Sequence, residues 1–181
     1  MHDPMDIHFG IKRITPANWQ SPEIPEMFGN MTQDIWLREH LAPKLNPEVP
    51  ENIAALYEVA RGSMIYGWFF YPLITLGAEQ CMRVLETAVR MCCENNGIKI
   101  RTEGKDGKTY DTTFAKNIRA LIKKGIIPAK DEKLWMAAKN IRNSASHPES
   151  QTILPPGMTL ANLKITADRL NYLSKHMQRK K

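Results

Sequence analysis

The longest unbroken helical pattern in the chain runs from Leu73 to Asn96, and it sets the class of everything around it. Cys81, Leu85, Ala88, Val89 and Cys92 recur at steps of three and four, which is one apolar stripe of an α-helix. Asn95-Asn96-Gly97 closes it, because glycine readily takes the left-handed conformation that ends a helix. A stripe that long has to be buried against other elements, and the neighbouring sequence supplies them as helices. Pro50-Glu51-Asn52 opens one, with an acidic residue where the helix dipole favours it, and Ile53, Leu56, Tyr57, Ala60 and Met64 give its buried face. Trp68, Phe69, Phe70 and Tyr71 join the two. An aromatic cluster without interleaved basic residues reads as core or as a dimer face rather than as a nucleic-acid platform.

Downstream, Thr112-Thr113 reads as an N-cap, and Phe114, Ile118, Leu121 and Ile122 form a stripe that stops at Gly125. Pro128 restarts the chain into a further helix, with Asp131 and Glu132 in its first turn and Leu134, Ala138, Ile141 and Ala145 as its apolar stripe. Pro148 stops that helix by removing an N–H and restricting the residue before it. The last helix is expected from Thr159 to about Gln178, burying Leu163, Ala167, Leu170, Leu173 and Met177. Only Ile98 to Asp111 departs from this style. Ile98 and Ile100 alternate with Lys99 and Arg101, and Asp106-Gly107 is a turn pair, so the segment reads as an exposed loop or small β-hairpin. Its four cations, Lys99, Arg101, Lys105 and Lys108, suit either a phosphate contact or plain solvation. The expectation is therefore all-α: a helical domain over 50–181, with a proline-rich irregular arm over 1–49 that holds one short helix before Pro43. Ile7, Phe9, Ile11, Ile14 and Trp19 of the arm are free to lie on the body or on a partner, and Ala42 to Pro50 is a proline-bounded linker.

Charge and composition narrow the partners. A net charge of +6 favours RNA, DNA or an anionic membrane surface, and is equally met by an ordinary solvated surface. The apolar run Met64 to Leu76 is too short to span a bilayer and is broken by Pro72, and the N-terminus lacks a secretory pattern, so no membrane role and a cytoplasmic location are expected. Cys81, Cys92 and Cys93 sit in an apolar pattern with no C-x-x-C pair, which reads as buried thiols. His2, His8, His40, His147 and His176 are scattered, so neither a metal site nor a cofactor is expected.

The stretch Ile141-Arg142-Asn143-Ser144-Ala145-Ser146-His147-Pro148 carries the most chemistry. Lys139, Arg142 and His147 load a helix end, where the dipole favours cations. Asn143 and His147 share a face, whereas Arg142 lies roughly 140° from His147 on an ideal helix. One helix aims both at a single atom only if its last turn distorts, or if a second copy contributes. The run from Ala138 to His147 (A-K-N-I-R-N-S-A-S-H) resembles the R-x(4–6)-H signature of the HEPN superfamily, in the L-R-N-x-x-x-H form of many bacterial members. Phe114 to Ile127 is similar to the helix and G-x-I turn that precede that signature, and the resemblance spans roughly residues 50–177.

That resemblance implies a helical bundle that forms a homodimer. In active members it implies metal-independent endoribonuclease chemistry, with Arg142 and His147 as the catalytic pair and Asn143 as their polar neighbour. A histidine gives or takes a proton at neutral pH, and a guanidinium holds two phosphate oxygens at once. Ser144, Ser146 and Lys139 are candidates for substrate contacts, though such serines are also ordinary helix-end residues. RNA is the expected partner, with a cognate antitoxin or defence-system protein as a further one. The alternative is a non-catalytic HEPN-like module that binds RNA, a nucleotide or a protein. On the long helix, Glu79, Arg83 and Glu86 read as a solvated ion-pair ladder or as groups that orient Arg142 or His147.

Overall fold

The structure, a computed structural model, describes residues 12–22, 29–137 and 154–178. Helices α1 (Gln33–Leu41), α2 (Glu51–Tyr66) and α3 (Pro72–Asn95) are followed by a hairpin of β1 (Arg101–Glu103) and β2 (Thr109–Asp111). Then come α4 (Phe114–Lys123), a 3-10 turn over Ala129–Asp131, helical backbone over 132–137, and α5 (Pro156–Met177). The fold is all-α apart from that hairpin. Among the described residues no helix is long and apolar enough to cross a membrane.

α3 is the axis on which the rest is laid. It packs against α2, α4 and α5, and its predicted stripe is fully buried, with Leu85, Ala88, Val89 and Cys92 in one core with Ile53, Tyr57, Ile118, Leu121, Leu163 and Leu170. Gly77 marks a close approach of α3 to α2. A Cβ there would lie 2.5 Å from Met64 Cγ and 2.8 Å from the Ala60 carbonyl oxygen. The three cysteines are free, buried thiols. Burial pushes the Cys81 thiol up to about 12, against a hydrogen bond with Thr166 that favours the thiolate. Gly97 and Gly125 close α3 and α4 at φ of 70° and 74°, the left-handed geometry in which a side chain is strained. Thr113 caps α4 by accepting from the Lys116 N–H at 3.3 Å.

A second, smaller cluster holds Trp36 of α1 against Trp68, Tyr71 and Ile74. The aromatic joint is therefore core on this side. His40 is fully buried beside it. Its Nδ1 donates to the Trp36 carbonyl at 2.8 Å, and burial lowers its pKa, which favours the neutral ring. The stretch Ala42 to Pro50 is stitched down rather than loose. Arg61 Nη2 donates to the Pro43 carbonyl at 2.6 Å. Asn171 of α5 accepts from the Asn46 N–H at 2.7 Å and donates to the Lys44 carbonyl at 2.9 Å.

Ile14 and Trp19 of the arm are exposed, and polar contacts hold this stretch, with the Lys12 ammonium donating to the carbonyls of Phe69 and Ser21. Ile7, Phe9 and Ile11 lie outside the described residues. Two expectations need correction. Leu134 does not begin a buried stripe: it is 57% exposed, and Trp135 is buried in its place at 4%. The larger ring has more apolar area to remove from water, and it finds the Arg169 guanidinium 5.3 Å from its centroid. Finally, α5 starts at Pro156, ahead of the expected Thr159, because proline is pre-set for a first helical position.

Candidate functional site

Lys139, Arg142, Asn143, Ser144, Ser146 and His147 all lie outside the described residues, within 138–153. What is described are the two anchors between which that stretch of chain runs. At the upstream anchor Trp135 is buried, its ring centroid 6.2 Å from that of Tyr172 at an interplanar angle of 63°. Arg169 donates from Nη2 to the Leu134 carbonyl, and Glu132 receives Arg119 Nε at 3.0 Å. At the downstream anchor Leu154 is buried at the first turn of α3. Its N–H donates to Thr75 Oγ1 at 3.0 Å, and its carbonyl accepts from the Tyr71 hydroxyl at 3.1 Å. Both bonds are shielded from water, so breaking either leaves a buried polar group unmet, at a cost of about 1–3 kcal/mol. Arg142 and His147 thus lie in a span whose ends are fixed to α5 and to the start of α3.

The charged face of α3 also takes shape. Arg83 and Glu86 line a cleft of about 460 Å³ together with Arg90, Asp111, Thr113 and Asn117. Its charges are matched: two arginines face two carboxylates. Arg90 Nη1 bonds Asp111 Oδ2 at 2.9 Å, and Arg101 Nε reaches Asp111 Oδ1 at 3.3 Å, so Asp111 clasps the hairpin to α3. The hydrogen bond from Arg90 holds the Asp111 carboxyl below the usual carboxylate range. With a folded pKa below the unfolded one, the unfolded chain binds the proton more readily. The contribution to stability is complete above about pH 4 and fades as pH falls through the folded value. Arg90→Gln is expected to raise the Asp111 titration midpoint toward that of a free aspartate, as followed by carboxyl NMR. A midpoint that does not move would mean that the pair carries no interaction.

Among the described residues no group of three or more His, Cys, Asp or Glu side chains is arranged to hold a metal ion. Sequence reading missed Arg169, Tyr172, Thr75 and Tyr71, which fix the two anchors. The one available signal was the lone arginine on the buried face of the last helix, directly before Leu170.

Residues 73–181, more than half of the chain, match the family described as Domain of unknown function (DUF4145). The chain belongs to the DUF4145 family. The DUF4145 match begins one residue into α3 and runs through the span 138–153 and α5, so both anchors of that span fall inside it except for Tyr71. α1 and α2 lie ahead of the matched region. No match was found among curated proteins or solved structures.

Proposed function

We propose that this DUF4145 chain is a metal-independent endoribonuclease of HEPN type, working as a homodimer in a defence or toxin–antitoxin setting. The observation that carries the reading is the run R-N-S-A-S-H at Arg142 to His147. The helical frame supports it, since the run lies between anchors seated on α5 and α3. The net charge of +6 suits a polyanionic substrate.

In the proposed reaction the ribose 2′-oxygen attacks the adjacent phosphorus and gives up its proton, and the bond from phosphorus to the 5′-oxygen breaks. His147 carries the proton, as base toward the 2′-hydroxyl or as acid toward the leaving 5′-oxygen. Arg142 holds the phosphate oxygens, whose charge grows at the phosphorane, and a guanidinium does so without losing its own proton. Asn143 orients His147 or a phosphate oxygen, and Ser144, Ser146 and Lys139 contact the strand. A second copy supplies the facing motif, which removes the problem of aiming both side chains from one helix.

The test is incubation of the purified chain with mixed RNA in excess EDTA. Fragments ending in a 2′,3′-cyclic phosphate and a 5′-hydroxyl are expected, and a single 2′-deoxy substitution at the cleaved position is expected to block cutting there. RNA that is retained but never cut would replace the enzyme with a non-catalytic binding module.

A further inference from the structure

The last helix carries a site that the motif does not use. Arg169 is 7% exposed, and among the described residues it has no carboxylate partner. Its Nη2 is spent on the Leu134 carbonyl, its Nε is buried without a partner, and its plane lies over Trp135. Burial lowers its pKa, but a guanidinium still stays charged at neutral pH. Its Nε is thus withdrawn from water without an acceptor. It lines a hollow of about 210 Å³ with Trp135, Tyr172, Ile165, Asp131 and Asp168. Two carboxylates therefore share one small hollow with a buried guanidinium, and neither is paired with it.

The walls are as informative as the charges. Tyr172 is 47% exposed, yet its ring is held: the hydroxyl donates to the Ile126 carbonyl at 2.9 Å, and the ring meets Trp135. A fixed, half-open aromatic ring is a stacking platform that loses little freedom on binding. A planar ligand that fits must show acceptors to Arg169 and N–H donors to the carboxylates. Guanine does both, with O6 and N7 on one edge and N1–H and the 2-amino group beside them. Adenine puts a donor where O6 would be and lacks the 2-amino group. The volume suits one base rather than a larger ligand, for which pockets run to about 300–1,000 Å³.

We infer that this hollow binds a guanine base, stacked on Tyr172 and held between Arg169 and the carboxylates of Asp131 and Asp168. The guanine comes from the RNA strand, so the site sets base preference near the cut; this part rests on the ribonuclease reading. Leu134 and Trp135 belong to the helical backbone over 132–137 that precedes 138–153, which keeps the base site close in sequence to the motif.

The test titrates the full-length chain with GMP, IMP and AMP, followed by saturation-transfer NMR. GMP is expected to bind at least tenfold more tightly than AMP, with IMP, which lacks the 2-amino group, between them. Asp168→Asn is expected to abolish the preference with unchanged melting, and Tyr172→Leu to weaken all three nucleotides in a chain that stays folded but melts lower, since it also loses the Ile126 hydrogen bond. Equal binding of GMP and AMP, or none at millimolar concentration, overturns the site. So does a Tyr172→Leu variant that turns a dimer into a monomer without changing nucleotide binding, for then the face is a contact between copies. Cleavage of guanine-containing and guanine-free RNA separates the two readings. GMP preference with no cutting sinks the ribonuclease alone, and cutting with no GMP preference sinks the base site alone.

Discussion

Replacing His147 by alanine is expected to slow RNA cleavage by about a hundred- to ten-thousand-fold, the range that a positioned proton carrier supplies. Arg142→Ala is expected to cost about a hundred- to a thousand-fold, as the loss of one group that stabilises developing charge does. Arg142→Lys separates charge from geometry. Lysine keeps the positive charge but cannot make the two parallel hydrogen bonds of a guanidinium, so its rate should fall between those of the wild type and alanine. The double variant is expected to be little worse than His147→Ala, because groups acting on one transition state do not add. Single-turnover rates on one defined RNA, with melting curves to show that each variant is folded, decide the matter. Cutting at an equal rate by wild type and both alanine variants would assign the activity to another site or to a contaminant, and the reading built on this motif would fall.

Gly77→Leu is expected to be the most damaging single change in the helical frame. Even the first added carbon meets Met64 Cγ at 2.5 Å and the Ala60 carbonyl oxygen at 2.8 Å. Met64 has flexible atoms to move, but the Ala60 oxygen belongs to the α2 backbone, so α2 and α3 must part. Overpacking commonly costs about 1–3 kcal/mol, and three further carbons at this crossing place Gly77→Leu at or beyond the top of that range. For a chain of this size each kcal/mol moves the melting temperature by about 2–4 °C. Thermal unfolding followed by circular dichroism measures it. Gly62, which has open space where a Cβ would stand, is the control: Gly62→Ala should be neutral or stabilising. A Gly77→Leu chain that melts with the wild type would show that the crossing is looser than its geometry.

These two experiments probe parts of the molecule that were unequally legible in the sequence. The α3 stripe, the glycines that end α3 and α4, the Thr113 cap and the hairpin all follow from local rules of period, cap and turn. The structure has them where those rules put them. The choice of Trp135 over Leu134 is not local. Both fit a helical stripe, and what decides is Arg169, which arrives from α5. The same holds for the buried polar residues. Arg61 is buried because the chain brings the Pro43 carbonyl to it, and His40 packs its ring on that of Trp36, 4.1 Å between centroids, which itself joins the aromatic cluster. The motif at Arg142 to His147 was legible as a sequence of residues. Its anchors were not, since the Thr75 hydroxyl and the Leu154 N–H meet from opposite ends of the domain.

The stitched connector between α1 and α2 has a practical consequence for anyone cutting this chain into pieces. A recombinant fragment starting at Glu51 would discard the Pro43 carbonyl that receives Arg61 and both backbone groups that engage Asn171, and it would strip Val49 from the core. Proline punctuation there invites a scissors mark, yet a protease probing the native fold should find this connector a poor substrate. The smallest piece worth expressing carries residues 43–50 with it.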